Sequence, residues 1–423
     1  MILFVVGGWA PGAPAAAPPI RICLIGGSGE SAAQTRATLA GLQDHLARAG
    51  AGECALDVLP DSGAGAEIAG ALADADVAVF WAHGRALTEP GRAALLNFMS
   101  GGRGVVVLGA VGGTWSDWPG FEREILGAHF GGTFAGGAPM RTINLFPHPI
   151  FTGIHRFETP EAMRECELAS DVDVIMEGTV GENTVPMGWV RRYGKSRIVS
   201  LEPGGRALLG DPDYRGVVLN CVYWAASRAV PGARTLIQRT YMSGSYPGAL
   251  AINFPEGPSL CYDTVRGGIN YIWDGDFVDL HPWWTAKHGI PLRNFAARLS
   301  GRMLYPEAAL APAMSVGARD ARSDYHFRGY RLRGDGFPEL YYTVGGREIT
   351  EDLNAVSDGV GVQRTFHMAP GAAPLWLRMD AGAGADVSVA GAAWDGNFLR
   401  FDTAAGGEFT VTIRKRAGFP PSR

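Results

Sequence analysis

Residues 77–108 read VAVFWAHGRALTEPGRAALLNFMSGGRGVVVL, and this stretch decides the fold. The run 77–81 is wholly apolar, which is typical of a central strand in a parallel sheet. Thr88 is suited to cap the helix that follows, and the glycine pair 101–102 is suited to end it. A second apolar run occupies 104–108. The stretch therefore predicts a strand–helix–strand unit of a doubly wound α/β sheet.

The same alternation extends on both sides of this stretch. Strands are predicted at 20–25 and 55–59, and helices at 31–49 and 67–73. A less regular continuation ends in a further helix near residue 228. The sequence therefore predicts a flavodoxin-like α/β domain over residues 20–228.

The pattern changes after the turn at 230–232. Short segments of alternating hydrophobicity, separated by Gly, Pro and Asp, replace the helical periods. These segments lie at 328–332, 339–344, 376–379, 386–389, 398–401 and 409–413. They predict an all-β sandwich over residues 246–416, joined to the first domain by a linker at 229–245.

The composition limits the classes of function. Because 37 Lys and Arg face 42 Asp and Glu, the net charge of −5 gives no basic surface for nucleic acid. No apolar run reaches the roughly 20 residues of a transmembrane helix. The five cysteines form neither a CxxC pair nor a CxxCH haem motif. We therefore expect no cofactor, no metal and no nucleic-acid partner.

Residues 1–19 consist of an apolar segment followed by prolines and alanines. The run 1–9 resembles the hydrophobic region of a secretory signal, although no positive charge precedes it. The alternative is a first strand followed by a Pro/Ala-rich linker. The signal interpretation predicts a periplasmic or otherwise extracytoplasmic protein.

Several short motifs follow one another in the first domain. They are Val79–Gly84, which ends in Trp-x-His-Gly, then Gly101–Gly104, Asp117-Trp118, Leu126–Phe130, His148–Ile150 with Gly153-Ile154, Pro186–Trp189 and Tyr193–Arg197. In order and spacing the set resembles the ThuA-like (trehalose utilisation) family, whose domains look like class I glutamine amidotransferases in fold. The resemblance covers about half the chain and implies a role in sugar metabolism.

The chain departs from this family at the reactive positions. The amidotransferase elbow is Gly-x-Cys-x-Gly, and Val111 stands here in place of the nucleophile, which excludes glutaminase chemistry at this site. The ThuA-like pattern has His near the elbow and again in a later Gly-His, where this chain has Gly109 and Gly205. The acidic Asp-Glu pair of the pattern falls at Pro160-Glu161. The resemblance therefore implies an intact scaffold with missing reactive groups.

The second half of the chain carries a further resemblance. The residues that carry it are 268–271, 273–279, 327–330 and 363–366. They are similar to a β-rich domain found beside ThuA-like and cytochrome-type modules in bacterial extracytoplasmic proteins. This resemblance implies a location and a type of neighbour but no activity.

His83 is the first candidate for a functional residue, because ligands of open α/β sheets bind at the carboxyl ends of the strands. With His148 and Asp117, and with His129 nearby, it would form a pocket suited to proton transfer or to a divalent metal. The alternative is structural: His83 caps the following helix and His148 packs in a loop. The sequence leaves both interpretations open.

Aromatic and acidic residues cluster near the start of the second domain. The cluster comprises Trp273, Asp274, Asp276, Asp279, Trp283 and Trp284. Stacking rings and carboxylate acceptors suit a glycan or a protein partner, whereas nothing fixes the acid–base pair of a glycosidase. The alternative is again structural, because Asp-Gly-Asp is an ordinary turn and tryptophan is commonly buried.

Three functional hypotheses follow. The first is a catalytically degenerate ThuA-like protein that acts as an extracytoplasmic binding or accessory subunit of a larger assembly. The second is an isomerase or lyase of carbohydrate catabolism that acts on an oxidised disaccharide, with His83 as general base and His148 or Asp117 assisting. A third is a subunit of a membrane-associated redox complex, suggested only by the company that such domains keep.

Overall fold

Strands and helices alternate over residues 22–108 of the first domain, as the sequence predicts, whereas the strands within 128–201 follow one another without an α-helix among the described residues between them. The structure, a computed structural model, describes residues 18–27, 31–48, 54–58, 65–109, 113–133, 142–154, 159, 161, 164–180, 183–255, 257–280, 296–305, 313–319, 321, 324–357, 360–379, 384–402, 404 and 407–418. The strands of the first domain are β1 (Ile22–Gly27), β2 (Cys54–Val58), β3 (Val77–Ala82), β4 (Gly104–Leu108), β5 (Ala128–Thr133), β6 (Thr142–Leu145), β7 (Arg164–Leu168), β8 (Val172–Val180), β9 (Asn183–Tyr193) and β10 (Ser196–Leu201). Its helices are α1 (Ala32–Arg48), α2 (Ala66–Ala73), α3 (Glu89–Ser100), α4 (Arg206–Leu209) and α5 (Pro212–Ala225), with a π-helical turn at Phe121–Leu126 and a 3₁₀ turn at Pro149–Phe151.

An eight-stranded mixed sheet forms the centre of this domain. Its order is β2-β1-β3-β4-β10-β9-β8-β6. The first five strands in this order are parallel, and the remaining pairs are antiparallel. Helices α1 and α5 cover one face of the sheet, whereas α2 and α3 cover the other. Because both faces are covered, β3 and β4 are buried along their whole length, which explains their unbroken apolar sequences.

The second part of the chain is rich in antiparallel strands, as predicted. They are β11 (Leu236–Thr240), β12 (Ala249–Asn253), β13 (Ser259–Asp263), β14 (Gly268–Asp279), β15 (Arg298–Tyr305), β16 (Met314–Val316), β17 (Tyr325–Leu332), β18 (Pro338–Val344), β19 (Arg347–Ala355), β20 (Gly361–Met368), β21 (Leu375–Arg378), β22 (Ala385–Ala390), β23 (Ala393–Asp395), β24 (Phe398–Phe401) and β25 (Gly407–Lys415). They form sheets in the orders β11-β12-β13-β14-β15, β16-β21-β24-β23 and β17-β18-β19-β20-β25-β22. The predicted linker at 229–245 thus includes β11, an edge strand of the first of these sheets.

The sheet β11–β15 is a layer between the first domain and the other two sheets. Leu250 and Ile252 of β12 face the core that the three sheets share. Ala249 and Ala251, on the opposite face of the strand, join a cluster that contains Phe146 of the first domain. Strand β12 is therefore buried on both faces, which short alternating segments do not predict.

No helix in the described part of the chain is both long and apolar enough to cross a membrane.

Candidate functional site at the carboxyl end of the parallel sheet

His83 lies directly after β3, at the carboxyl end of the parallel strands. Its backbone N–H donates to the carbonyl oxygen of Gly27 at 2.8 Å, which extends the pairing of β3 with β1 by one residue. The imidazole packs edge-on against Trp81, with ring centroids 6.3 Å apart. Burial lowers the pKa of His83, so the imidazole is neutral at neutral pH. A neutral imidazole at this position can accept a proton from a ligand.

Gly109 follows β4 and is enclosed by two neighbours. A Cβ atom added there would lie 3.0 Å from Nε2 of His83, and the φ angle of +64° disfavours any side chain. Gly204, which follows β10, comes closer still: a Cβ atom there would lie 2.2 Å from the backbone nitrogen of Gly109. The two loops therefore meet backbone to backbone. A side chain at position 109 would therefore be strained and would require the imidazole of His83 to shift.

Glu161 holds the loop after β10 from outside. Its Oε2 accepts a hydrogen bond from the N–H of Gly204 at 3.0 Å, and its Oε1 accepts one from the N–H of Gly205 at 2.8 Å. The indole of Trp81 donates to the carbonyl of Gly204 at 2.7 Å. The hydroxyl of Tyr214 donates to the carbonyl of the preceding proline. Four hydrogen bonds thus fix three consecutive residues, 203–205, and a carboxylate takes both available N–H groups.

Glu202 is a buried acid beside the same loop. Its side chain has no solvent exposure, and its Oε1 accepts a hydrogen bond from the N–H of Arg164 at 2.8 Å. Its Oε2 has no hydrogen-bond partner among the described residues. Burial raises the pKa of Glu202 to about 7, although the N–H and the charge of Arg164 lower it and the charge of Glu161 raises it further. Glu202 is thus a carboxyl group that can hold or release a proton near neutral pH.

Asp117 serves the loops as a structural acceptor. Its Oδ1 accepts a hydrogen bond from the N–H of Leu87 at 2.7 Å, and its side chain is exposed. Glu122 plays a similar part after the elbow, where its Oε1 accepts from the N–H of Gly113 at 2.6 Å. Val111, in the predicted nucleophile position, lies outside the described residues. Two carboxylates therefore fix the loop after β4, and only one of them, Asp117, was predicted from the sequence as a site residue.

A surface cavity of about 760 Å³ lies next to this loop. Its lining consists of Gly113, Pro119, Gly120, Glu122, Arg123, Glu124, Ala128, His129, Phe130 and Arg164. The imidazole of His129 is exposed, and its Nδ1 lies 3.2 Å from a terminal nitrogen of Arg123. Arg164 links the cavity to Glu202, because its N–H binds that buried carboxyl.

His148 does not join His83. Its Nδ1 accepts the N–H of the residue two positions on, and its ring lies 5.6 Å from Trp224 near the end of α5. Helix α5 begins beside Pro203, where Tyr214 donates to the carbonyl. Trp224 is ten residues further along, a rise of about 15 Å. The two histidines therefore lie towards opposite ends of the parallel strands.

The predicted glycan-binding cluster is divided by the structure. Trp273 is fully buried in the cluster that joins the two domains, and Asp279 is also buried. Asp274 is half-buried, and its Oδ2 accepts from Nζ of Lys415 at 2.6 Å. Trp283 and Trp284 lie outside the described residues, as does the side chain of Asp276. The described members of the cluster therefore form core and an ion pair.

Glu161, Glu202, Trp81 and Tyr214 are the site residues that sequence reasoning missed. Glu202 follows directly after β10, and this position at a strand end was the available signal. Glu161 appeared in the sequence analysis only as part of the acidic pair of the family pattern. No group of three or more His, Cys, Asp or Glu side chains within the described ranges could hold a metal ion.

Residues 29–225 match the family model described as ThuA, trehalose utilisation. No curated protein matches the chain. Solved structures give several matches. A ThuA-like protein from Parabacteroides merdae is 17% identical, with 49% of this chain and 90% of that one covered, at a TM-score of 0.36.

Two further structures extend this comparison. A ThuA-like protein from Bacteroides uniformis is 16% identical, with 51% of this chain and 95% of that one covered, at a TM-score of 0.39. A β-galactosidase from Bacillus circulans sp. alkalophilus is 8% identical, with 93% of this chain and 41% of that one covered, at a TM-score of 0.33.

Proposed function

Because residues 29–225 form a domain of the ThuA family, we propose that this protein serves carbohydrate metabolism as a binding or accessory subunit without turnover at that domain. The observation that carries the proposal is the position of Glu161. Its carboxylate accepts both N–H groups, of Gly204 and Gly205, beside the loop where the family pattern has a histidine. Backbone N–H groups that are already occupied cannot stabilise an anionic intermediate of a reaction.

The remaining reactive groups support the same proposal. His83 is the one imidazole among the described residues of these loops, whereas the family pattern has further histidines there. A Cβ atom at position 109 would lie 3.0 Å from Nε2 of His83, and one at position 205 would lie 2.6 Å from Oε1 of Glu161, so a neighbouring side chain occupies the space beside each position where the family pattern has a histidine. The scaffold and its fixed loops would then present a surface for binding.

Two finer assignments belong to the proposal. The order β2-β1-β3-β4 followed by a fifth parallel strand supports a flavodoxin-like assignment for the first domain. The apolar segment at residues 1–9 supports export and assembly with a partner outside the cytoplasm. With both assignments, the proposed protein is an extracytoplasmic accessory subunit of a larger assembly whose first domain is flavodoxin-like.

The test compares the purified protein with its His83→Ala variant on trehalose and on an oxidised disaccharide. We expect no turnover by either protein, together with measurable disaccharide binding by calorimetry. Turnover by the wild type that is lost in the folded His83→Ala variant would overturn the proposal. Lack of both turnover and binding would remove the carbohydrate part of it.

A rescue variant gives the proposal a second test. Gly205 has an ordinary φ angle of −65°, but an added Cβ atom would lie 2.6 Å from Oε1 of Glu161. We therefore expect a histidine at this position to be tolerated only with Glu161→Gly. Turnover of an oxidised disaccharide by Gly205→His with Glu161→Gly, and none by the wild type, would support a degenerate site.

A carbohydrate isomerase or lyase is the second candidate function. Two shifted pKa values at this edge of the sheet favour this function. Burial lowers the pKa of His83 and raises the pKa of Glu202 to about 7. Two groups shifted in opposite directions are typical of an acid–base pair. A turnover rate that Glu202→Gln and His83→Ala each abolish would establish this alternative.

A further inference from the structure

A cleft of about 780 Å³ lies between the segment that follows α5 and the second domain. Its lining includes Pro231, Pro255, Asp335, Phe337, Gln363 and Arg414. Sites for small molecules commonly occupy about 300–1,000 Å³ and are frequent where two domains meet. Both the size and the location of this cleft fit such a site.

One wall of the cleft is apolar and firmly supported. Phe337 is half-buried, and its ring centroid lies 5.8 Å from that of the buried Phe254. Pro231 and Pro255 add flat apolar surface without flexible side chains. An aromatic ring held from behind can offer its free part to the C–H face of a ligand ring at a low entropic cost.

The cleft wall also carries polar groups of complementary kinds. Oδ2 of Asp335 lies 3.0 Å from a terminal nitrogen of Arg333, and its Oδ1 accepts from the N–H of Phe337 at 3.0 Å. Gln363 of β20 pairs with the residue two before Arg414 of β25, so these two side chains lie on the same face as diagonal neighbours. The wall thus presents a fixed carboxylate, an amide and a guanidinium.

We propose that this cleft binds a neutral polyhydroxylated ligand, a mono- or disaccharide. Sugar hydroxyls donate and accept hydrogen bonds, and this matches a carboxylate acceptor, a guanidinium donor and an amide that does both. The Asp335 carboxylate is already neutralised by Arg333, so it offers acceptor oxygens to hydroxyl groups rather than a net charge for a cation. The proposal extends the binding role given above to a second site, one that shares no residue with the loops around His83.

The experiment titrates glucose and trehalose into the full-length protein by calorimetry. Gln363→Leu keeps the approximate volume and removes both polar groups, and we expect it to weaken binding at least about tenfold through lost hydrogen bonds. Phe337→Leu should weaken binding through the lost aromatic contact. Gln238→Leu is the matched control, because Gln238 lies on β11 outside the cleft and donates to the neighbouring carbonyl of Arg239.

His83→Ala separates the two binding sites. If Gln363→Leu weakens sugar binding while His83→Ala and Gln238→Leu do not, the cleft is the sugar site. If His83→Ala abolishes binding and Gln363→Leu does not change it, the proposal is overturned while binding at the ThuA domain survives. Absence of any binding of both sugars by the wild type also overturns it. Thermal unfolding of each variant shows whether a loss reflects the site or the fold.

Discussion

Two buried glutamates, Glu202 in the first domain and Glu351 in the second, differ in how their carboxyl groups are paired. Neither side chain is exposed. Glu351 lies 2.6 Å from Nε of Arg364 and accepts the hydroxyl of Tyr342 at 2.8 Å. Glu202 accepts one backbone N–H through Oε1, and its Oε2 has no hydrogen bond within the described ranges.

The difference concerns what each carboxyl group can do. A buried carboxylate that is paired with a guanidinium and hydrogen-bonded by a tyrosine fixes its neighbours in place. A buried carboxyl without such pairing changes its protonation near neutral pH instead. The second domain therefore uses its buried charge for structure, whereas the edge of the parallel sheet retains a group that responds to pH.

Removal of the guanidinium in the second domain should give the largest effect. Arg364→Met would leave Glu351 buried without a counter-charge, and we expect a loss of about 3–5 kcal/mol in the free energy of unfolding. Urea unfolding measures this loss. The control is Arg331→Met, which removes an exposed partner of Glu339 and should leave the midpoint nearly unchanged. A loss in Arg364→Met no greater than in the control would show that the buried pair is dispensable.

Glu202 should make stability depend on pH. Its pKa is about 7 in the fold against 4.5 for the ordinary group, so the folded state binds the extra proton between these values. Stability is therefore highest below about pH 4.5 as far as this group is concerned. It should fall by about 3 kcal/mol as the pH rises through 7.

Glu202→Gln tests this dependence by removing the titration. We expect the variant to lose the decline between pH 4.5 and 7, and to be more stable than the wild type at pH 8. Glu167→Gln, an exposed change on β7, serves as the control and should keep the wild-type profile. A decline that persists in Glu202→Gln would show that another group causes it.

The contact between the loops after β4 and β10 should be intolerant of a methyl group. A Cβ atom on Gly204 would lie 2.2 Å from backbone, so we expect Gly204→Ala to cost about 1–3 kcal/mol by overpacking. Gly70→Ala is the matched control, because nothing lies within 4 Å of the added atom and a helix gains from alanine. Equal melting temperatures for the two variants would contradict the close approach.

The ion pair of Asp274 with Lys415 should give the smallest effect. Their side chains are 37% and 22% exposed, and a pair of this kind contributes about 0.5 kcal/mol. Asp274→Asn should therefore change the melting temperature slightly, with the difference vanishing at high salt. A change as large as that of Arg364→Met would mean that partly exposed and buried pairs behave alike in this domain.

Local patterns predicted the strands and helices of residues 20–108 correctly. The wholly apolar runs at 77–81 and 104–108 are strands that both faces of the sheet bury. The helix predicted after Thr88 occupies Glu89–Ser100. The resemblance to the ThuA-like family is confirmed over residues 29–225. These features depend on residues that are close together in the sequence, so local patterns such as hydrophobic periodicity are sufficient to predict them.

Assembly of the candidate site required contacts that no periodicity records. His83 was predictable because a polar residue after a buried strand marks the edge of the sheet. The pairing of Glu161 with Gly204 joins residues 43 positions apart, and the position of His148 depends on packing against α5. The sequence is equally compatible with Trp273 as a ligand-binding residue and as a core residue. Its burial follows from the layer that β11–β15 forms between the domains.

Local sequence patterns are sufficient to predict the strand–helix alternation of residues 20–108 and the change to a β-rich second half. Tertiary contacts, by contrast, bring the loop glycines together and let the Glu161 carboxylate accept hydrogen bonds from the N–H groups beside them. They also bury Glu202, and this burial raises its pKa. The physical reason is that burial and hydrogen-bond partners of a side chain are set by residues distant in sequence.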